Sequence, residues 1–511
     1  MPKTWTLVAA ILGSGIVYLD STVITVALPR IGRELPVHLF GVLEGQSYVY
    51  SGYLLTQSTL LILAGALTDF YGRRRIFALG VAGFGVMSVL CGLAPTMELL
   101  IVFRLLQGAA GALLVPGALS LITATFSGEE EGRAIGLWSG AAAGTAIFGP
   151  FIGGLLVDTI SWRAAFLINV PVVAAALWVL ARHVEESRDN EATGKFDILG
   201  TILTALAIGG LAFGAMYGQQ REWRDPLAFA ALAIGAAATL ALPLQMARSP
   251  HPLVPLHLFR SRNFTVTNLS TFIIYGALAV TFYYLPLFMQ GTLGYTAAAV
   301  GLATIPPGFL LAAFSARFGA LAGRYGPRWF MAAGPAIMAV GVLWFVRVPA
   351  GSQPWAFRPG DPTTILPPGA YAIDFLPGLV IFGIGLMIMV APLTTALMTS
   401  VPARHSGVAS AVNNAIADVG PQLIGAAIFV AITATFYANL AARIPGLDTS
   451  SPAVRRQIAP LNLPSSDAPA DQADAARAAS AAVFHLAMLV SAALLAGGAA
   501  INAVGIRNQP T

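Results

Sequence analysis

The sequence predicts an all-α integral membrane protein, and three observations lead to this fold class. Of the 511 residues, 57% are hydrophobic and only 10% are charged, whereas a soluble domain carries about a quarter charged residues. The apolar residues form runs of about 20 residues, the length that a helix needs to cross a bilayer. Two distant segments also share a repeated residue pattern. In water such a chain would expose large apolar surfaces, so a soluble fold is excluded.

Fourteen apolar runs are separated by polar connectors and are interpreted as transmembrane helices. An even number of spans places both termini on one side, and an excess of Lys and Arg in alternate connectors indicates the cytoplasmic side. The runs cover residues 5–29, 44–68, 76–94, 99–126, 134–157, 163–182, 197–217, 227–246, 264–290, 299–322, 329–346, 375–398, 408–437 and 479–503.

Connectors and a repeat predict how the chain is divided. The connector GALTDFYGRR at 65–74 recurs as GALAGRYGPR at 319–328, an offset of 254 residues. This repeat indicates two six-helix halves, as secondary transporters use for alternating access. The predicted segments are an N-terminal bundle (1–182), a charged linker with two inserted spans (183–263) and a C-terminal bundle (264–511). The last segment includes an external loop at 438–478, which is expected to be flexible or partly helical.

Four motifs carry a family likeness. GALTDFYGRRR (65–75) resembles the signature loop of the major facilitator superfamily. LDSTVITVALP (19–29) resembles the first-helix motif of its fourteen-spanning drug:proton antiporters, the EmrB/QacA type. RLLQGAAG (104–111) resembles the motif whose arginine is linked to proton coupling, and GPFIGG (149–154) resembles the antiporter signature. The resemblance implies the major facilitator fold, two six-helix bundles with two inserted helices.

The resemblance also implies roles for two groups of residues. A conformational-switch loop would consist of Gly65, Asp69, Gly72, Arg73 and Arg74, because glycines permit tight turns and an acid at a helix end can pair with arginine. The alternative is an ordinary positively charged loop. An antiporter motif that limits leak would consist of Gly149, Pro150, Gly153 and Gly154. A plain packing notch is the alternative, and the family's further glycine is replaced here by Thr145.

Three charged residues lie well inside predicted spans: Asp20, Arg104 and Asp418. A charge in hydrocarbon is costly, so each is expected to face a partner or a cavity. Asp20 and Arg104 lie at depths that differ by roughly 6 Å, which an arginine side chain covers. We hypothesise that Asp20 accepts a proton and that Arg104 favours its ionised form until substrate or conformation separates them. The alternative is a buried ion pair that only specifies helix packing.

Aromatic and polar residues of the second half are candidates for a substrate cavity. Aromatic faces suit bulky, lipophilic and often cationic compounds. The candidates are Tyr275 and Tyr283 in the ninth span and Asn413, Asn414 and Asp418 in the thirteenth. The alternatives are lipid-facing or interface aromatics for the tyrosines and a cap or pairing residue at a helix junction for Asp418.

The predicted function is proton-coupled efflux of small, mostly hydrophobic drugs or toxic compounds across the inner (plasma) membrane of a bacterium. A dedicated metabolite exporter or importer of the same fold is the alternative. Scattered basic residues do not indicate nucleic-acid binding, and the absence of a P-loop excludes ATP drive within this chain. No cluster of His, Cys, Asp or Glu predicts a metal site or an enzyme. No cofactor is expected, because the proton gradient would drive transport. Recruitment of a periplasmic adaptor stays open.

Overall fold

A computed structural model describes residues 2–126, 129–187, 197–220, 223, 225–249, 256–358, 360–401, 406–462 and 469–508. These residues form α-helices joined by turns and short loops, and no β-strand occurs among them. The helices of the first half of the chain are α1 (Pro2–Glu34), α2 (Val42–Tyr71), α3 (Arg73–Gly92), α4 (Met97–Gly111), α5 (Leu114–Thr125), α6 (Glu129–Thr159), α7 (Ala164–Leu167), α8 (Asn169–His183), α9 (Ile198–Gln220) and α10 (Pro226–Arg248).

The second half continues with helices in the same manner. They are α11 (Arg262–Leu287), α12 (Ala297–Ala303), α13 (Ile305–Tyr325), α14 (Arg328–Trp344), α15 (Gly369–Asp374), α16 (Leu376–Thr399), α17 (Ser406–Arg443), α18 (Pro452–Gln457) and α19 (Ala470–Gly505). A π-helical turn, Phe288–Leu293, extends α11 at its C-terminal end.

Among the described residues, 12 segments are long and apolar enough to cross a membrane. They match twelve of the predicted runs. The other two runs, 44–68 and 134–157, lie within α2 and α6, which are 30 and 31 residues long. Both of these helices include side chains outside the described set. The membrane-helical fold class is therefore confirmed, and the count of fourteen stays a prediction.

The structure corrects the boundaries of several runs. The run 299–322 divides into α12 and α13 at Thr304. Proline lacks a backbone N–H and clashes with the preceding turn, so Pro306 and Pro307 fit only at the start of the second piece. The run 99–126 likewise divides into α4 and α5.

The predicted external loop, 438–478, is partly helical where it is described. Helix α17 runs on to Arg443, α18 lies within the loop, and α19 already begins at Ala470. Leu461 is fully buried, and its N–H donates to Ser480 Oγ at 3.1 Å. This hydrogen bond anchors the middle of the loop to α19, ten residues after the helix begins.

The chain forms two compact units. The first comprises Met1–Phe40, Glu44–Phe213 and Ala231–Pro252, and the second comprises Gly41–Leu43, Gly214–Ala230 and Leu253–Thr511. Helices α9 and α10, the predicted insertion, contribute residues to both units.

The two units pack their helices in the same order. In the first unit α1 packs on α6 and α8, and α3 packs on α4 and α8. In the second unit α11 packs on α17 and α19, and α14 packs on α16 and α19. The repeated glycines Gly72 and Gly326 have φ angles of 107° and 83°, which residues with a Cβ rarely adopt. The sequence repeat thus occupies equivalent turns, one before α3 and one before α14.

Close helix crossings depend on glycine. A Cβ at Gly334 of α14 would lie 2.8 Å from the carbonyl oxygen of Gly385 in α16. A Cβ at Gly210 of α9 would lie 2.8 Å from the Cα of Gly235 in α10. In a bilayer, apolar side chains are as favourable against lipid as against another helix, so the hydrophobic effect does not drive helices together. Close backbone approach therefore supplies much of the packing energy between them.

Candidate functional site

A buried ion pair lies in the first unit. Asp20 of α1 and Arg104 of α4 form a salt bridge through Oδ2 and Nη1, and both side chains are almost completely buried. Arg104 Nε also donates to the carbonyl oxygen of Val49 in α2 at 3.0 Å. The guanidinium lies 4.2 Å from the ring centroid of Tyr53. Arg104 is therefore held by contacts to α1 and α2. Its ion pair with Asp20 is the contact that the sequence predicted.

Gln107 lies one turn after Arg104 and joins both members of the pair. Its Oε1 accepts from Arg104 Nη1 at 2.7 Å, and its Nε2 donates to Asp20 Oδ1 at 3.2 Å. The same Nε2 donates to Ser88 Oγ on α3 at 2.9 Å. The thiol of Cys91 donates to Gln107 Oε1 at 3.6 Å. The amide is therefore held in one orientation by donors on one side and acceptors on the other.

Asn169 is the first residue of α8 and completes the site. Its Nδ2 lies 3.3 Å from both Asp20 Oδ1 and Ser88 Oγ. Its Oδ1 is buried and has no hydrogen-bond partner among the described residues, and the same holds for Arg104 Nη2. A buried polar atom without a partner costs about 1–3 kcal/mol. The site therefore holds one spare acceptor and one spare donor beside the carboxylate.

The arrangement suits a carboxylate that changes its charge. Asp20 accepts hydrogen bonds from Arg104, Gln107 and Asn169, which together balance much of the cost of burying an ionised acid. Protonation would remove the charge and turn one carboxyl oxygen into a donor. Asn169 Oδ1, brought round by rotation of the amide, is an acceptor that could receive that donor.

Glycines of the antiporter motif pack directly beside Asp20. A Cβ at Gly149 of α6 would collide with the side chain of Thr22 on α1, and a Cβ at Gly153 would lie 3.0 Å from the Cα of Val23. Gly154 is buried, and Pro150 lies inside the continuous helix α6. These glycines let α6 approach the stretch of α1 that follows Asp20, as small residues spaced by four do in membrane helices.

The predicted switch loop turns at Gly72. Gly65 and Asp69 lie on α2, where the structure describes only their backbone. Arg73 and Arg74 begin α3 and are half-buried. Arg74 Nη2 donates to the carbonyl oxygen of Ala181 in α8 at 3.3 Å. Within the first unit, this loop therefore connects the start of α3 with the end of α8.

The predicted cavity residues lie on α11 and α17 of the second unit in different surroundings. Asn413 is buried, and its Nδ2 donates to Asn268 Oδ1 at 3.1 Å and to Thr271 Oγ1 at 2.9 Å. Asn413 thus joins α17 to α11. Tyr283 is also buried, Tyr275 and Asp418 are partly exposed, and Asn414 is exposed.

Sequence reasoning missed two members of the site, Ser88 and Asn169. A serine in an apolar run is common in membrane helices and carries no signal of its own. Asn169 is the only side-chain amide in the run 163–182, and a strongly polar residue there could have marked it. Gln107 lay within a recognised motif, but its contacts to both charges were not expected.

A helical bundle with many membrane spans and a buried ion pair is typical of membrane transport proteins. The family model of the Major Facilitator Superfamily matches residues 10–426. The chain therefore belongs to the major facilitator superfamily, whose members are transporters of small molecules. It is a multi-pass protein of the bacterial inner membrane.

The curated relatives are drug-resistance transporters. The chain is 31% identical over 449 residues to the multidrug resistance protein Stp of Mycobacterium tuberculosis, covering 86% of this chain and 78% of that protein. It is 32% identical to the tetracenomycin C resistance and export protein of Streptomyces glaucescens, covering 82% and 74%. It is 30% identical to the methylenomycin A resistance protein of Bacillus subtilis, covering 85% and 89%.

Solved structures share the fold. A bacterial homologue of the human lysosomal transporter Spinster, in an inward-facing and unoccupied conformation, superposes with a TM-score of 0.64 at 16% identity. The match covers 99% of this chain and 97% of that structure. The POT family transporter PepTSo matches with a TM-score of 0.63 at 14% identity, and the match covers 98% of this chain and 97% of that structure.

Proposed function

We propose that this protein exports small, mostly hydrophobic drugs or toxic compounds in exchange for protons, by alternating access. The observation that carries the proposal is the buried pair of Asp20 and Arg104. A titratable acid sealed inside a membrane bundle is costly and usually marks an ion or proton pathway. Relatives named for resistance to drugs and antibiotics support efflux.

The proposed coupling step is a change of charge at Asp20. In the ionised state, Asp20 is bound to Arg104, Gln107 and Asn169. A proton that enters from the outside neutralises the carboxylate and weakens its attraction to Arg104. The weakened contact between α1 and α4 permits the conformational change, and release of the proton to the cytoplasm restores the pair. The proton gradient supplies the energy, and no cofactor takes part.

The proposed topology has fourteen spans with both termini in the cytoplasm. The 12 candidate spans among the described residues are completed by α2 and α6. The described part of α6 includes the apolar stretch Phe148–Thr159, which supports a crossing at that helix. The two additional spans relative to a twelve-helix bundle are α9 and α10. This topology is that of the EmrB/QacA type of antiporter.

The two motifs have supporting roles in this proposal. Gly65, Asp69, Gly72, Arg73 and Arg74 form the switch loop, whose turn at Gly72 is supported by its φ of 107°. The antiporter motif keeps α6 tightly packed against α1 next to the proton site, which limits leak. The close packing at Gly149 and Gly153 supports this role.

Substrate is proposed to contact the second half of the bundle. The candidates are Tyr275, Tyr283, Asn413, Asn414 and Asp418. Among them the partly exposed Asp418 on α17 is suited to a cationic compound.

Export of one dedicated compound is the second candidate function. The names of two relatives, for tetracenomycin C and for methylenomycin A, each refer to a single antibiotic. A protein of this kind would respond to one chemical class rather than to many.

Purified protein in liposomes tests the proposal. With an inward-directed proton gradient, addition of ethidium, a lipophilic cation, or of a neutral hydrophobic antibiotic is expected to drive substrate-dependent proton movement. Asp20→Asn is expected to abolish this movement, and Asp474→Asn, a side chain that is 78% exposed, is the matched control. Proton-driven transport by Asp20→Asn protein would refute the coupling role. A response to one compound class alone would favour the dedicated exporter.

A further inference from the structure

The same pair of contacts occurs once in each unit, at the turn that carries the repeated glycine. In each six-helix half, the third span begins after this turn, and the last span of that half ends beside it. The first unit joins α3 with α8, and the second joins α14 with α19. We define the two sets of contacts as clasps: clasp 1 consists of Gly72, Arg74 and Glu186, and clasp 2 consists of Gly326, Arg328 and Asn508.

In clasp 1, the segment after α8 caps the start of α3. Glu186 Oε1 accepts from the backbone N–H of Arg74 at 3.0 Å, and Oε2 accepts from that of Arg75 at 3.2 Å. The carbonyl oxygen of Ser187 accepts from the N–H of Arg73 at 3.0 Å. The first N–H groups of a helix have no partner within it. Here three of them are satisfied from the end of another helix.

Clasp 1 also has a contact in the opposite direction. The side chain of Arg74 donates to the carbonyl oxygen of Ala181 at 3.3 Å, two residues before α8 ends. The last carbonyl groups of a helix likewise lack internal partners, and a cation there is favourable. The two helices therefore cap each other.

Clasp 2 repeats both contacts at equivalent residues. Asn508 lies three residues after the end of α19, as Glu186 does after α8. Its Oδ1 accepts from the N–H of Arg328 at 3.2 Å. Arg328 Nε donates to the carbonyl oxygen of Ala503, two residues before α19 ends, at 2.8 Å. Arg74 and Arg328 are the arginines that align in the sequence repeat.

The absence of a Cβ at the two glycines leaves the space that each capping side chain occupies. A Cβ at Gly72 would lie 2.7 Å from Glu186 Oε1, and a Cβ at Gly326 would collide with the amide of Asn508. Glycine therefore has two roles at these turns. It permits the positive φ, and it leaves space for the capping residue.

We propose that Arg74 with Glu186, and Arg328 with Asn508, are positioning residues that fix the third and last helices of each half into one rigid piece. Clasp 1 is charged, because Glu186 Oε2 also lies 3.8 Å from Arg75 Nε, whereas the cap of clasp 2 is a neutral amide. The effect on transport rests on the proposed function, but the clasps themselves do not.

Hydrogen exchange of the full-length protein in lipid nanodiscs tests the clasps independently of transport. In Glu186→Ala protein, the amides of Arg74 and Arg75 are expected to exchange about fivefold faster, the factor that corresponds to loss of one helix cap. Glu186→Gln keeps one carbonyl oxygen and is expected to protect only one of the two amides. Glu185→Ala, at the exposed neighbouring acid, is the matched control and should change nothing.

Variants of clasp 2 provide an independent hydrogen-exchange test. Asn508→Ala is expected to accelerate exchange at Arg328, and Arg507→Ala, an exposed neighbour, should not. Asn508→Asp is expected to slow it, because a negative charge at a helix N-terminus is favourable. Unchanged exchange in Glu186→Ala and Asn508→Ala, or an equal acceleration throughout the chain, would overturn the clasps.

The positioning role is tested by ethidium transport in liposomes. Glu186→Ala is expected to lower the maximal rate several-fold with little change in KM, with recovery in Glu186→Gln. Local acceleration of exchange together with unaltered transport would overturn the positioning role. If Asp20→Asn protein still couples to protons while the clasp variants behave as expected, the proposed coupling fails and the clasps stand.

Discussion

Removal of one charge from the buried pair is expected to destabilise the protein as well as uncouple it. Asp20→Asn leaves the guanidinium of Arg104 fully buried without its counter-charge. It also places an NH2 group among donors that faced a carboxylate. Breaking a buried pair on one side costs about 3–5 kcal/mol. We expect a value near the lower end, because Arg104 keeps its bonds to Val49 and Gln107.

A double-mutant cycle separates the charge effect from the change in shape. Arg104→Gln leaves Asp20 unpaired, and the double variant Asp20→Asn/Arg104→Gln has neither charge. The double variant is expected to be more stable than the sum of the single effects by about 2–3 kcal/mol. The free energy of unfolding is measured by denaturant titration in detergent micelles, with Asp474→Asn as the exposed control.

Additive effects in this cycle would refute the reasoning. They would mean that the two charges do not depend on each other for burial. The same conclusion would follow if the Asp20→Asn protein had the same free energy of unfolding as the wild type. Proton-coupled ethidium transport by the double variant would show that the coupling acid lies elsewhere.

Two further predictions concern helix packing. Gly149→Ala is expected to cost about 1–3 kcal/mol and to reduce transport, because the new methyl group collides with Thr22, whereas Gly144→Ala on the same helix meets nothing within 4 Å. Equal thermal stability of the two variants would contradict the packing argument. Asn413→Ala removes two hydrogen bonds between α17 and α11 and is expected to lower the unfolding free energy by about 1–3 kcal/mol. The exposed Asn414→Ala should leave it within about 0.5 kcal/mol, and comparable losses in both would argue against the interhelical role.

Charged residues in apolar runs were the part of the site that could be predicted. Asp20 and Arg104 stand out because nothing else in their surroundings is charged, and the cost of burying a charge in a membrane requires a partner. Their similar depth in two spans was enough to pair them. Asn169 and Ser88 could not be found in this way, because neutral polar side chains are tolerated at many positions of a membrane helix.

In the second half of the chain, the sequence likewise did not show which polar residues pack between helices. Asn413 and Asn414 are adjacent and equally polar, and both were assigned to the substrate cavity. The helix places them on different faces, so that one joins α17 to α11 and the other is exposed. Only the orientation of α17 against its neighbour distinguishes them.

The sequence by itself determined the membrane-helical class, the approximate position of the helices and the residues that repeat, because hydrocarbon thickness and the cost of buried charge act on any chain. It did not determine which groups meet. The reciprocal capping of α3 by Glu186 and of α8 by Arg74 joins residues more than 100 positions apart. Such contacts exist only once helices have packed, because the unpaired groups at helix ends accept whichever partner the tertiary fold brings within hydrogen-bond distance.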